Sequence, residues 1–531
     1  MFKSRITIFL ILAAVASAAL SAQVTSFPQT EFVANISKSI PEWRPHKAYN
    51  ADEAQILTSV FEGLYVYDPL TLDPINALAE SESVSKDRLV WTFKIRQNAK
   101  FENGDPITAG IIRQSWMKLL DPSVAAPYAS LLDPIKGVAA FRTGSVKDPL
   151  TVGIIAPDNS TLVVQLNAPA EYLKKIFCHH AFSAIHPAQL GDSLKDKIPA
   201  DYKPVASGAY KVKSISADEI ILEKNPLYWD AANVAIPSFR LILSDDGETL
   251  TTRFNRGEIQ WLTGSTSISK IIGSSTVHLT PMFSTEYFFF RSTWGPGADS
   301  RVRNALLLAI PWKELRSNYL IPAKTLVFPI AGYPQLDGIE TQNVDDAKKK
   351  LAEAGISDPS ALAPLVISIP DSEAFISLAK IIQKAWMDLG FKVDIRATPY
   401  TAYYGTLRNN DYTLGITSWI GDFADPLSFL EMFRPASSLN DSGWNNPEFE
   451  ALILSSSSIN VTKDRYAKLA EAEKLLLADG VIMPIAHNPS LNVIDTNGIS
   501  GWYTNALDIH PFKFIQFSQK KALPGVAMLA K

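Results

Sequence analysis

The sequence has very little cysteine and no excess of charge of either sign. Its 531 residues include one cysteine, Cys178, which excludes an intrachain disulfide framework and a cysteine-based zinc cluster. The formal net charge is −4 at pH 7, from 50 basic and 54 acidic residues. There is no basic surplus to neutralise phosphates, so nucleic acid is not an expected partner. A chain of this length exceeds a single hydrophobic core, and we expect two or three domains.

Motifs that mark common enzymes are also absent. The sequence contains no Walker A loop, no GxGxxG fingerprint, no GxSxG elbow and no HExxH motif. The pattern SxxK occurs without a companion KTG, so it predicts no Ser–Lys catalytic pair. Adjacent Cys178, His179 and His180 cannot all face one metal ion, and we interpret them as a packed turn. We therefore expect no enzyme, no metal site and no cofactor.

Long apolar runs are missing after the N-terminus. There, two basic residues precede an uncharged run over residues 6–22, which is the arrangement of a secretory signal. We expect residues 1–22 to be removed, with cleavage after Ala22 preferred to cleavage after Ala18 and an uncleaved anchor as the alternative. No cysteine lies near either point to carry a lipid. The predicted product is a monomeric protein of the periplasm.

The second half of the chain alternates strand and helix patterns. Strand patterns occur at 365–369, 392–397 and 412–419, and helical spacing occurs at 373–389 and 401–409. This order predicts a βαβαβ domain, in which ligands bind at the carboxyl ends of the strands. The first half mixes short strands and helices without that regularity. The sequence as a whole therefore predicts an α/β protein.

One segment is a candidate binding site: the run WIGDFAD at 419–425, directly after the last of these strands. It places two carboxylates, Asp422 and Asp425, on a glycine-containing loop beside Trp419. Asp425 precedes a proline, and we interpret it as the N-cap of a helix near 427–432. Asp422 has no such structural explanation. A carboxylate flanked by aromatic rings suits a ligand ammonium group, through a charge-assisted hydrogen bond.

Several runs resemble those of the extracellular solute-binding proteins of the peptide/nickel type, known as family 5. The resemblance extends from about residue 40 to the C-terminus and is most specific over residues 60–109. The matching runs are FEGL at 61–64, WTFKIR at 91–96, FENGDPITA at 101–109, SGAY at 207–210, NPLYWD at 225–230, NRGEIQW at 255–261, RVRNALLLAI at 301–310 and HPFKF at 510–514.

The resemblance implies a type II-like periplasmic-binding-protein fold, with three domains in two lobes and a hinged ligand cleft. Lobe 1 would combine residues 23–60, 186–287 and 505–531, an extra domain at 61–185 would pack on lobe 1, and residues 288–504 would form an α/β lobe 2. Such proteins capture short peptides and deliver them to an inner-membrane ABC permease with its ATPase subunits. A non-peptide solute such as a metal chelate, haem or a sugar remains an alternative, as does a sensor or chaperone role.

The resemblance also implies ligand-binding positions. By position, Asp422 corresponds to the partner of the ligand α-ammonium. An Arg and a His that hold ligand carboxylates in the family are replaced here by Ile416 and Phe375, and Tyr49 replaces an acidic residue. These departures leave the length and sequence of the ligand open. The implied positions are Asp422, Ser418, Trp419 and Ile420 on one lobe, Tyr49, Asn50 and Ala51 on the other, and the replaced positions Phe375 and Ile416.

Overall fold

The computed structural model describes most of the chain, in six stretches: residues 30–170, 172–191, 198–199, 201–293, 295–407 and 411–518. The signal predicted at 1–22 lies outside the described residues, as does the end of the predicted lobe 1 from residue 519. Among the described helices, none has both the length and the apolar character needed to cross a membrane.

Most of the described strands and helices are short, and the two types are intermixed along the chain. The strands are β1 Glu31–Ser37, β2 Tyr65–Tyr67, β3 Pro74–Asn76, β4 Ala79–Val84, β5 Val90–Ile95, β6 Ile154–Asp158, β7 Thr161–Gln165, β8 Tyr210–Ile215, β9 Glu219–Lys224, β10 Ser238–Leu243, β11 Trp261–Thr263, β12 Val277–Pro281, β13 Ser284–Phe290, β14 Leu365–Pro370, β15 Val393–Thr398, β16 Leu414–Ile420, β17 Ile482–Ala486, β18 Pro489–Ile494, β19 Ile499–Ser500 and β20 Gln516–Phe517. The helices are α1 Ala51–Val60, α2 Ala109–Leu120, α3 Val138–Arg142, α4 Leu173–Ile176, α5 Gly247–Asn255, α6 Ser300–Leu308, α7 Trp312–Leu315, α8 Val344–Glu353, α9 Glu373–Asp388, α10 Tyr400–Thr406, α11 Leu427–Leu430, α12 Pro447–Ser456 and α13 Thr462–Ala478.

The predicted βαβαβ unit is present in the second half. Strand β14 pairs in parallel with both β15 and β16, and helices α9 and α10 connect them in turn. Two antiparallel strands complete a five-stranded sheet of order β15-β14-β16-β13-β17. The alternating strands and the amphipathic helix between them carry enough local pattern to identify this unit from the sequence.

A second, seven-stranded sheet has the order β12-β18-β11-β1-β10-β9-β8. Its strand β18 lies within 288–504, which the sequence assigned to lobe 2. However, β18 pairs antiparallel with both β11 and β12, so its backbone hydrogen bonds hold it in the lobe 1 sheet. The return from lobe 2 to lobe 1 therefore occurs before Pro489 and not at residue 504. This return could not be located from the sequence, because a strand pattern does not show with which of the two sheets the strand pairs.

Two short linkers connect the two sheets. The chain leaves the seven-stranded sheet after Pro281 and enters the five-stranded sheet at Ser284, and it returns between Ala486 and Pro489. The linkers lie side by side, since the Ser284 hydroxyl donates to the carbonyl oxygen of Asn488 at 3.0 Å. We propose these paired linkers as the hinge between the lobes, which moves the first boundary from 287 to about 282.

The extra domain contributes a four-stranded antiparallel sheet, β4-β5-β7-β6, which is covered by α2. Three of the sequence runs quoted above join this domain to lobe 1 at one buried carboxylate. Glu62, from FEGL, accepts hydrogen bonds from Tyr228 Oη, from Trp229 Nε1 at 2.5 Å and from Lys513 Nζ at 3.1 Å. The runs FEGL, NPLYWD and HPFKF therefore hold the domains together and lie outside the lining of the interlobe cavity.

The start of α1 is set by the contacts of its first turn. The helix begins at Ala51 because the Glu53 carboxylate accepts a hydrogen bond from the backbone N–H of Asn50 at 3.2 Å. It ends before Phe61, whose backbone is extended. This places Asn50 and Ala51 at an N-terminal helix end that faces lobe 2 across the cleft.

Candidate ligand-binding site

A cavity of about 920 Å³ lies between the lobes. Lobe 1 contributes the end of β1 and the start of α1, the extra domain contributes residues around 124–128 and 179–180, and lobe 2 contributes the end of β16 with the loop that follows. The predicted ligand positions that line this cavity are Asp422, Trp419, Ser418, Ile420, Tyr49, Asn50 and Ala51.

The other two predicted positions, Phe375 and Ile416, do not line the cavity. Ile416 is 1% exposed, and its backbone N–H and C=O both bond to the hydroxyl of Tyr403, each at 2.9 Å. Phe375 lies in the first turn of α9 and packs against the core. The cavity-lining part of β16 begins at Thr417, so neither replaced position is placed to contact a ligand.

Strand β16 presents an open backbone edge beyond Gly415. On one side it pairs with β13 along its whole length, whereas on the other side β14 reaches only as far as Gly415. In an antiparallel pair, alternate residues turn their N–H and C=O away from the partner. Ile416 bonds Tyr403 with these groups, so by alternation Ser418 and Ile420 also turn theirs away from β13. Among the described residues, no strand pairs with them there.

The carboxylate of Asp422 lies just beyond the end of this edge, almost enclosed by protein. Its side chain is 11% exposed, and His179 Nε2 lies 3.6 Å from its Oδ1. Burial raises the pKa of Asp422 to about 8, and a hydrogen bond from the Tyr128 hydroxyl offsets only part of that effect. No lysine or arginine among the described residues pairs with it. Within the part of the chain that the structure describes, Asp422 therefore has no positively charged side chain in contact with it.

His179 does not supply that positive charge. Its Nδ1 accepts a hydrogen bond from the backbone N–H of Ala181 at 3.3 Å, which assigns the ring proton to Nε2, on the side of Asp422. Burial, together with the neighbouring His180, holds the pKa of His179 well below its usual value. Neutral His179 and Tyr128, whose ring centroids are 4.4 Å apart, thus form a polar, uncharged wall beside the carboxylate.

The loop that carries Asp422 is fixed at both ends. Before it, Gly421 donates its N–H to the carbonyl of Phe283 at 2.8 Å, and a Cβ atom at position 421 would lie 2.4 Å from the Phe283 ring. After it, Asp425 accepts from the N–H of Leu427 at 3.0 Å, as predicted for a helix cap. Asp425 also forms two hydrogen bonds with Arg465, at 2.6 and 2.9 Å. The predicted division of roles between the two carboxylates therefore agrees with these contacts.

Sequence reasoning missed the extra domain's share of the site. Tyr67 donates its hydroxyl hydrogen to the backbone oxygen of Asp422 at 2.8 Å, and Tyr128 and His179 surround the carboxylate. The interpretation of the CysHisHis run as a packed turn agrees with its burial, since His179 is 5% and His180 2% exposed. However, both rings also line the cavity. No local sequence pattern predicts this position of the two rings, because only the packing of segments distant along the chain brings them to the cavity.

A second set of contacts joins the extra domain to lobe 2 outside the cavity lining. Asp133 accepts two hydrogen bonds from Arg142, at 2.6 and 2.7 Å, and lies 3.2 Å from Arg434 of lobe 2. Arg142 also donates to the carbonyl of Ala436 at 2.8 Å. The side chains of Asp133 and Arg434 are 5% and 7% exposed. This buried ion pair exists only while the two domains are in contact.

The sequence and structure are similar to those of known proteins. Residues 73–441 match the family described as "Bacterial extracellular solute-binding proteins, family 5 Middle". The chain is 30% identical over 494 residues to the periplasmic oligopeptide-binding protein OppA of Escherichia coli K12, which covers 88% of this chain and 89% of OppA. It is also similar to the solved structure of the murein tripeptide-binding protein MppA of Escherichia coli, with a TM-score of 0.81 and 26% identity over 92% of this chain and 98% of MppA.

A second MppA structure provides information on the arrangement of the lobes. Against MppA in its unliganded open form, the TM-score is 0.64, at 25% identity over 92% of this chain and 98% of MppA. Both comparisons involve the same fold and nearly the same coverage, so the lower score reflects how the domains are placed. Together with the Asp133–Arg434 and Tyr67–Asp422 contacts, this indicates that the lobes here are closed on the cavity.

Proposed function

We propose that this protein, which belongs to the bacterial extracellular solute-binding proteins of family 5, captures short peptides and delivers them to an ABC importer in the inner membrane. Its membership of that family makes it a binding protein and not an enzyme. The family resemblance and the α/β, type II-like fold expected from the sequence are confirmed. The relatives named above are an oligopeptide-binding and a murein tripeptide-binding protein. The predicted signal at 1–22 supports a periplasmic location.

The observation that carries this proposal is the open edge of β16, which ends at a buried carboxylate. An extended peptide adds to such an edge as a further strand, pairing with the backbone of Ser418 and Ile420. Its α-ammonium then meets Asp422, so the peptide runs from residue 422 back towards residue 417. Every peptide offers the same backbone groups and the same α-ammonium. The side chains of the peptide enter the rest of the cavity, where water can fill unused space. The sequence of the peptide therefore has little influence on its affinity for the protein.

Burial of Asp422 explains how a free amine is selected. In an open protein the carboxylate is hydrated and ionised, whereas closure without a cation raises its pKa to about 8. At pH 7, closure on an empty cleft therefore requires the carboxylate to take up a proton. The carboxylate has an ordinary pKa in the open form, and protonating such a group at pH 7 costs on the order of 4 kcal/mol. A ligand ammonium keeps the carboxylate ionised and avoids most of this cost. Closure on a peptide with a free amino terminus is therefore favoured over closure on an empty cleft.

The identity of the ligand can be tested by native mass spectrometry of the protein as purified, followed by denaturation and identification of the released molecules. We expect a mixture of short peptides of different sequence, because the backbone and the amino terminus carry the recognition. Release of a single non-peptide compound or a metal complex would contradict the peptide assignment, although the fold and the closing motion would stand.

Proton uptake provides a separate test of Asp422. At pH 7, binding of N-acetyl-tetraalanine should take up about 0.9 proton, since closure raises the pKa of Asp422 to about 8 with no cation to oppose it. Uptake should fall as the pH rises through 8. Tetraalanine with a free amino terminus should take up close to none. Isothermal titration calorimetry in buffers of different ionisation enthalpy measures this quantity. Equal uptake for both peptides would rule out a direct pairing of Asp422 with the amine.

A further inference from the structure

The structure brings a lysine with no acidic partner to the cavity. Lys38, just after β1, lines the cavity from lobe 1, and among the described residues no carboxylate pairs with it. Its Nζ lies 5.1 Å from the centre of the Tyr400 ring, within the range of a cation–π interaction. Tyr400 belongs to lobe 2, so this contact spans the cleft and depends on its closure.

Lys38 contacts the helix α10, which flanks the start of the open edge, whereas Asp422 follows the end of that edge. Tyr400 and Tyr404 both line the cavity, with ring centroids 5.8 Å apart. The residue between them on α10, Tyr403, holds the backbone of Ile416, so this helix flanks the start of the edge. Asp422 follows its end. The six residue steps from 416 to 422 span at most about 20 Å, because β16 ends at Ile420 and Asp422 lies on the loop that follows.

We propose that Lys38, held over Tyr400, binds the C-terminal carboxylate of a peptide whose α-ammonium is bound by Asp422. This assignment rests on the proposed peptide-binding function and adds a length preference to it. An extended peptide that bridges both groups has about five residues, since each residue spans at most about 3.3–3.6 Å and the lysine side chain covers part of the distance. The usual carboxylate positions of the resemblance, Ile416 and Phe375, lie outside the cavity lining, so Lys38 takes over their role from the other lobe.

The effect on affinity is modest because Lys38 is exposed at the edge of the cavity. An ion pair in contact with water contributes little. We expect pentaalanine with a free carboxylate to bind about two- to fivefold more tightly than its C-terminal amide. Peptides much longer than five residues should lose this difference, because their C-terminus lies beyond the lysine.

The experiment is a titration of the full-length mature protein with tri- to octaalanine, each as free acid and as C-terminal amide. The preference for the acid should peak near the pentapeptide in the wild-type protein, disappear in Lys38→Gln and persist in Lys38→Arg. Lys348→Gln removes an exposed lysine on α8, outside the cavity, and should leave the preference unchanged. Asp422→Asn should lower all affinities and retain the ratio of acid to amide, because the two ends act independently.

Two results would overturn the assignment. Equal binding of acid and amide at every length, or an undiminished preference in Lys38→Gln, would remove Lys38 as the carboxylate partner while peptide binding itself stands. If none of these peptides binds the wild-type protein, the proposed function fails together with the assignment. The amino-terminal test with N-acetylated peptide does not involve Lys38, so the two failures can be distinguished.

Discussion

Replacement of Asp422 by asparagine should weaken the binding of peptides with a free amino terminus by about 2 kcal/mol or more, roughly thirtyfold in Kd. Asparagine keeps the shape of the side chain but removes the charge that holds the α-ammonium. The same variant should bind N-acetylated peptides as well as the wild-type protein does, or better, because no proton has to be taken up on closure. Isothermal titration calorimetry at pH 7 with tetraalanine and N-acetyl-tetraalanine measures both effects.

The reversal of preference between the two peptides distinguishes a ligand contact from general damage to the protein. Asp411→Asn provides a matched control, since Asp411 is an exposed carboxylate of lobe 2 outside the cavity lining, and it should leave both affinities unchanged. If the wild-type protein binds acetylated and free peptides equally well, the assignment of Asp422 to the amino terminus is wrong. Equal losses for both peptides in Asp422→Asn would instead indicate a structural role for the loop.

Replacement of Asp133 by asparagine should have the largest effect on closure. In the closed arrangement Asp133 lies between two arginines, 2.6 Å from Arg142 and 3.2 Å from Arg434. Burial alone would lower the pKa of Arg434, but the carboxylates of Glu431, Glu450 and Asp133 together raise it. Without Asp133, closure would bring the two arginine side chains together with one carboxylate fewer. Loss of one partner from a buried pair costs about 3–5 kcal/mol, so ligand affinity should fall by a factor between about one hundred and a few thousand.

Small-angle X-ray scattering shows whether this loss comes from closure. The wild-type protein should become more compact on addition of pentaalanine, whereas Asp133→Asn should stay expanded at the same ligand concentration. Thermal unfolding verifies that the variant is folded, and Glu80→Gln, an exposed acidic residue of the same domain, controls for charge loss. Ser438→Ala removes weaker cross-domain hydrogen bonds to Ala126 and Pro127, at 3.3 and 3.1 Å, and should give a smaller effect in the same direction. If Asp133→Asn becomes as compact as the wild-type protein on ligand addition and binds with the same affinity, this ion pair has no role in closure.

Local pattern was sufficient for the elements of the second half but not for the limits of the lobes. Strands β14 and β15 and helix α9 lie within one or two residues of their predicted ends, because alternation and helical spacing are properties of short segments. Strand β18 was assigned to the wrong side of the hinge. It has the composition of a strand in either sheet, and only its hydrogen bonds to β11 and β12 decide where it belongs.

The candidate site could likewise be predicted from the sequence only in part. The run WIGDFAD and the separate roles of Asp422 and Asp425 could be read from a loop of seven residues. The positions Phe375 and Ile416 were inferred by correspondence, and the structure places neither in the cavity lining. Tyr128 and His179 reach Asp422 from the extra domain, and no sequence pattern connects segments so far apart.

The α/β class, the βαβαβ unit, the family and the carboxylate that follows β16 could all be predicted from the sequence. These follow from local periodicity, from short runs in a fixed order and from the chemistry of single side chains. Three further features depend on the tertiary structure: β16 keeps an open edge, Asp422 is buried with no lysine or arginine of the described residues beside it, and Lys38 lines the cavity from the other lobe. Each of these depends on which distant segments pack together, and burial and pairing, which set pKa values and free hydrogen-bonding groups, arise only from that packing.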